Sequence, residues 1–88
     1  MTKTQFFNYL ANGGKVRMIT WHDMPVNDDS KLAGVRYADK VQSNAIRFNN
    51  GSWLYKADVN ANDVKPVSAG GIVPAVSLGW AVYQIISD

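Results

Sequence analysis

The one imidazole in this 88-residue chain, His22, sits beside Asp23 in the run Trp21-His22-Asp23-Met24-Pro25, with Asp28 and Asp29 a few residues further on. Imidazole nitrogen and carboxylate oxygen are donors that divalent transition metals take, so a metal site would have to be built here. Adjacent residues on a strand point to opposite faces, and His22 and Asp23 therefore do not converge without a bend. The expectation is that His22 stands half-exposed at a strand end while the aspartates cap a turn. Nucleophilic catalysis requires a Ser or Thr held against a base and an orienting third group. No Gly-x-Ser-x-Gly elbow exists, and Ser52 falls in the turn Asn50-Gly51-Ser52-Trp53. The run Ala69-Gly70-Gly71-Ile72 lacks the Lys-Ser/Thr ending of a phosphate-cradling loop. All seven acidic residues are Asp, and there is no Glu and no Cys. That composition excludes a thiol nucleophile, a zinc ribbon, a disulfide scaffold and any Glu-based acid–base pair. The chain reads as non-enzymatic, with no catalytic residue, cofactor or metal.

Binding chemistry has more to work with. Arg36, Tyr37, Lys40, Arg47, Tyr55 and Lys56 interleave basic and aromatic groups, the pattern by which proteins hold single-stranded nucleic acid. The net charge is +2 and the pI near 9.0, and the charge is uneven. Residues 1–56 carry eight Lys and Arg against four Asp, whereas residues 57–88 carry Lys65 against three Asp. A basic N-terminal part attracts nucleic acid or an acidic protein surface, but this excess is smaller than dedicated DNA-binding domains concentrate on one face.

The elements that must position these groups are short. Thr2 or Thr4 caps a helix whose Phe6, Phe7 and Leu10 share one stripe, and Asn12-Gly13-Gly14 ends it. Lys15 to Asp23 reads as a strand with apolar residues on both faces, hence central or bulged. Residues 24–34 form a connection in which Asp28, Asp29 or Ser30 caps a single helical turn ended by Gly34, and Met24, Pro25, Val26 and Leu32 fold back over one end of the core. Val35, Tyr37 and Val41 alternate with Arg36, Ala38 and Lys40 as a second strand with one wet face. Asn50-Gly51 is the favoured pair for a two-residue hairpin turn. That turn places Phe48 opposite Trp53 and Ile46 opposite Tyr55 on an inward aromatic face, with Arg47 opposite Leu54 and Ala45 opposite Lys56 outward. Residues 59–63 read as a polar loop, and Val64 to Val67 as an edge strand limited by Pro66.

Residues 66–87 contain no charge at all. Pro66, Pro74, Gly70, Gly71 and Gly79 interrupt that run, which fits two buried strands better than a membrane helix. The segment around Phe6 to Leu10 is too short and interrupted for a signal-peptide core. The expectation is one α+β domain over 1–88: a short N-terminal helix packed on a small antiparallel sheet, or partly closed barrel, of five or six strands.

The stretch Gly34-Val35-Arg36-Tyr37, Lys40 to Phe48 and Gly51-Ser52-Trp53-Leu54-Tyr55, preceded by a helix with Phe6, Leu10 and Gly13, resembles small proteins encoded by phages and prophages of Gram-positive bacteria. The resemblance covers about two-thirds of the chain, and its motif is a hairpin signature, so it implies an origin rather than an activity. It implies a cytoplasmic protein of the bacterial host that acts by stoichiometric binding to a host macromolecule, either a protein or a protein–nucleic-acid complex. An anti-CRISPR-type inhibitor of a defence nuclease is one concrete form. The second reading is a small basic nucleic-acid-binding domain. The first places the contact on Arg36, Lys40, Arg47, Leu54 and Lys56, the second on the basic residues among them, and neither involves a membrane.

Overall fold

The computed structural model describes residues 1–27, 29–30, 32–59, 64–69 and 73–86. Helix α1, Lys3–Ala11, opens on a capping box. The Thr2 side chain accepts from the Gln5 backbone N–H, and the Gln5 side chain accepts from that of Thr2. A helix of nine residues has little stability of its own, and α1 is held by burying Phe6, Phe7 and Leu10.

Nine strands follow among the described residues. They are β1 (Lys15–Trp21), β2 (Met24–Pro25), β3 (Val35–Arg36), β4 (Ala38–Val41), β5 (Ala45–Phe48), β6 (Trp53–Tyr55), β7 (Lys65–Ala69), β8 (Val73–Ser77) and β9 (Ala81–Ile86). The larger sheet runs β2-β1-β9-β8-β7, with β3 pairing the same edge of β1 as β2. The smaller sheet runs β4-β5-β6. All pairs are antiparallel, and the sheets do not close into a barrel. The α+β architecture is therefore as expected, with more strands than expected, two of which, β2 and β3, are only two residues long. Strand β1 is central, and a bulge between Met18 and Thr20 lets it present apolar residues on both sides. The uncharged C-terminal run forms β8, β9 and most of edge strand β7. Among the described residues no helix is long and apolar enough to cross a membrane.

The core lies where both sheets meet the helix. Tyr83 of β9 is buried with Phe6 of α1 at 6.3 Å and Phe48 of β5 at 6.1 Å between ring centroids, so one ring comes from each layer.

Two expectations about faces are overturned. Val35, Tyr37 and Val41 are exposed and Arg36 is buried, against the expected alternation, and of its wet face only Lys40 is exposed. The chain leaves one sheet after β3 and enters the other at β4, so the 35–41 stretch is not one continuous strand. The hairpin is also one residue out of the expected register. Ala45 pairs with Tyr55, Ile46 with Leu54 and Arg47 with Trp53. The Phe48 N–H donates to the Ser52 carbonyl at 2.8 Å, which leaves three residues in the loop. Gly51 takes φ +90°, and the Asn50 side chain accepts from both the backbone and the hydroxyl of Ser52. A three-residue loop with glycine in the left-handed region is an alternative that the same Asn-Gly pair serves. A slip of one residue turns every side chain of the slipped strand, here β6, to the other face.

The connection after β1 also differs. Met24 and Pro25 pair back onto β1, and the segment around Ser30 forms a turn, with the Leu32 N–H donating to the Ser30 hydroxyl. Val26 and Leu32 pack on the core as expected, whereas Met24 is exposed. The readings placed on Asp28, on the loop 60–63 and on Gly70 and Gly71 lie outside the described residues.

Candidate partner-binding face

The slip in register turns β6 over relative to expectation, whereas β5 keeps its expected faces. Ile46, Phe48 and Leu54 face the core. Trp53 and Tyr55 face away from it, at alternate positions of β6. Cross-strand partners share a face, so the pairs Lys40–Arg47, Arg47–Trp53 and Ala45–Tyr55 set one outward surface. The Trp53 and Tyr55 rings lie nearly parallel, 23° apart in plane with centroids at 6.1 Å. The Arg47 guanidinium stands 6.0 Å from the Trp53 ring centroid, a cation–π distance. Its Nε donates to Asp39 Oδ1 at 2.8 Å. Asp39 can reach it because β4 is irregular between Ala38 and Lys40, so that Asp39 has no ladder partner there. Ala45 is buried at the register position opposite Tyr55.

The five residues expected to make the contact therefore separate. Lys40 and Arg47 lie on this face, with Lys40 exposed and the Arg47 side chain 40% exposed. Leu54 is 1% exposed and belongs to the core. Arg36 is 5% exposed, its Nη2 donating to the Leu32 carbonyl at 3.3 Å. Lys56 leaves the ladder at the start of a 3-10 turn, Lys56–Asp58, and its Nζ lies 5.6 Å from the Phe7 ring on the helix side. Arg47 and Lys56 are thus not neighbours on one surface. Trp53 and Tyr55 take the place expected for Leu54 and Lys56. The signal for them was present in the alternation of Trp53-Leu54-Tyr55, but its phase depends on the loop length.

At the other candidate position, His22 and Asp23 form the tip of the β1–β2 hairpin with φ of +50° and +64°. Among the described residues no three His or Asp side chains come together as a metal-ligand group. Burial pushes the Tyr83 hydroxyl pKa above its ordinary value of 10.0, against the opposing charge and hydrogen bond of Arg36.

Comparison with protein families, curated proteins and solved structures finds no match to this chain.

Proposed function

We propose that this protein is a non-enzymatic binding module, and that the outward face of β4-β5-β6 is where it holds a macromolecular partner. The observation that carries this reading is the parallel Trp53–Tyr55 pair with Arg47 beside it on the solvent side of a sheet. Trp, Tyr and Arg are the residue types in which interface binding energy concentrates. Here Arg47 is held in place by Asp39, so little side-chain freedom is lost on docking.

The partner is a protein of the bacterial host, bound stoichiometrically in the cytoplasm. That is the mode of action implied by the resemblance to phage-encoded proteins, for instance as an inhibitor of a defence nuclease. Asp39 favours a protein over a polyanion, because its carboxylate already occupies Arg47 and repels phosphate from the middle of the face. The stacked rings favour a second reading, in which they receive the bases of single-stranded nucleic acid.

One comparison tests both. Wild type, an Arg47→Glu/Tyr55→Ala variant and a Lys65→Glu control on exposed edge strand β7 are each used to capture host proteins. Each is also titrated with short DNA and RNA at low and physiological salt. The expected result is a protein retained by wild type and control and lost by the face variant, with nucleic-acid binding that fades as salt rises. Nucleic-acid binding that persists at physiological salt and is lost in the face variant establishes the second reading. Identical behaviour of the three proteins overturns both.

A further inference from the structure

A second surface, on the larger sheet, carries a different chemistry. The tip of the β1–β2 hairpin is a two-residue turn made by His22 and Asp23, both at positive φ although neither is glycine. Such a conformation is costly for residues with a Cβ and persists where the surroundings hold it. Two contacts hold this one. The His22 backbone N–H donates to the Trp80 carbonyl at 2.7 Å, and the His22 ring meets the Trp21 ring edge-on at 4.6 Å. Trp80 is tied in turn to the 3-10 turn, its indole Nε1–H donating to the Asp58 carbonyl at 3.2 Å. Three segments far apart in sequence are so fastened around one open cleft of about 390 Å³, lined by Trp21, His22, Asp58 and Trp80.

The described lining residues are two Trp, one His and one Asp, with no Lys or Arg among them. Asp58 forms no ion pair among the described residues. The Lys3 ammonium reaches the 3-10 turn but is engaged by the carbonyls of Lys56 and Val59, and the ammonium of Lys56, within the turn, lies over the Phe7 ring. Trp21 is 43% exposed, although it is a large apolar side chain on a central strand. Indole is the side chain that attracts a cation most strongly across its ring face, and aromatic walls with a nearby negative charge are how proteins select quaternary ammonium groups. A metal ion or a simple ammonium stays strongly hydrated and gains little from indole walls. A methylated ammonium has an apolar outer surface and a weakly held hydration shell, and it suits both the rings and the carboxylate.

We propose that the cleft between Trp21 and Trp80 is a binding site for a small quaternary ammonium compound of choline size. Trp21 and Trp80 supply the aromatic walls, His22 fixes the Trp21 wall, and Asp58 supplies the complementary charge. The site is separate from the Trp53–Tyr55 face and does not depend on it.

The test uses the intact chain labelled with ¹⁵N and follows the three indole N–H signals during titration with choline chloride. Sodium chloride serves as the ionic control, and 3,3-dimethylbutan-1-ol as a neutral compound of the same shape. The expected result is a saturable shift of the Trp21 and Trp80 signals with choline, Trp53 remaining still, and binding of the neutral compound about tenfold weaker or less. Asp58→Asn weakens choline binding several-fold while the indole spectrum keeps its dispersion, and Trp21→Leu removes it. Absence of a saturable shift, equal binding of the neutral compound, or an undiminished affinity in Asp58→Asn overturns the proposal.

Discussion

The guanidinium of Arg36 stands 5.7 Å from the centroid of the Phe48 ring, inside the protein. Arg36 comes from the larger sheet and Phe48 from the smaller, so a cation bridges the two layers. It has no carboxylate partner among the described residues. Its charge is instead met by the Leu32 carbonyl and the Phe48 ring, and it acts on the nearby Tyr83 hydroxyl. Buried charge is costly unless such groups surround it, so the arrangement stands only as a set. Arg36→Ala leaves the Leu32 carbonyl without this donor and opens a void, for an expected loss of about 2–4 kcal/mol. Arg36→Met fills much of the volume without the charge and costs less. Urea unfolding of the two variants checks the order, and equal losses would mean that the lost guanidinium contacts, not packing, set the cost.

The same cluster sets an alkaline limit. The Tyr83 hydroxyl pKa is raised by burial above the ordinary value of 10.0. In the unfolded chain the phenol ionises first, so protons are lost on unfolding and stability falls as pH rises above about 10. Below that value the group is protonated in both states and contributes no slope. Tyr83→Phe removes the titrating hydroxyl while keeping the buried ring. Its melting temperature should fall less steeply between pH 9.5 and about 11. Parallel curves for the two proteins in that window would sink the assignment.

The register of β5 and β6 makes opposite demands on adjacent residues. Leu54 is buried on the inner face, whereas Trp53 lies on the outer one. Leu54→Ala should cost about 2–5 kcal/mol. Trp53→Ala, though it removes the larger side chain, should cost about 1 kcal/mol or less. A two-residue loop would reverse the order, so thermal or urea unfolding of the pair decides the phase of the hairpin.

That hairpin also marks how far the sequence could be read. Its position was legible, because Asn50-Gly51 between alternating apolar residues has no competing interpretation. Its phase was not, since an Asn-Gly pair serves loops of two and three residues, and the choice rests on the bonds from Asn50 to Ser52. The helix was legible to its cap, because Thr2, the Phe6-Phe7-Leu10 stripe and Gly13-Gly14 all act locally. Arg36 was not, because alternation along 35–41 holds only if one strand stays in one sheet, and the chain changes sheets there. Trp53 and Tyr55 stand out as aromatic in the sequence, but a two-residue loop phase puts them in the core. Lys40 and Arg47 were placed on the exposed face correctly because their charge favours water in either register.

Glycine is required at one place for a reason other than its backbone freedom. The Tyr9 hydroxyl bonds to the backbone N–H and carbonyl of Lys15 and to the Ile86 carbonyl, at 3.0, 2.8 and 3.2 Å. It thereby ties the helix end to the start of β1 and the end of β9. The ring reaches these groups by crossing Gly14, where an added Cβ would lie 2.4 Å from it. Gly14→Ala must displace the ring, break those bonds and loosen the joint between helix and larger sheet, at an expected cost of about 2–3 kcal/mol. Gly34 has nothing within 4 Å of the same added atom and no positive φ. Gly34→Ala should therefore be neutral or slightly stabilising, by reducing the freedom of the unfolded chain. If Tyr9→Phe is combined with Gly14→Ala, the two losses should not add, because each breaks the same bonds. Additive losses in that cycle would mean that the Tyr9 hydroxyl bonds are not what Gly14 protects.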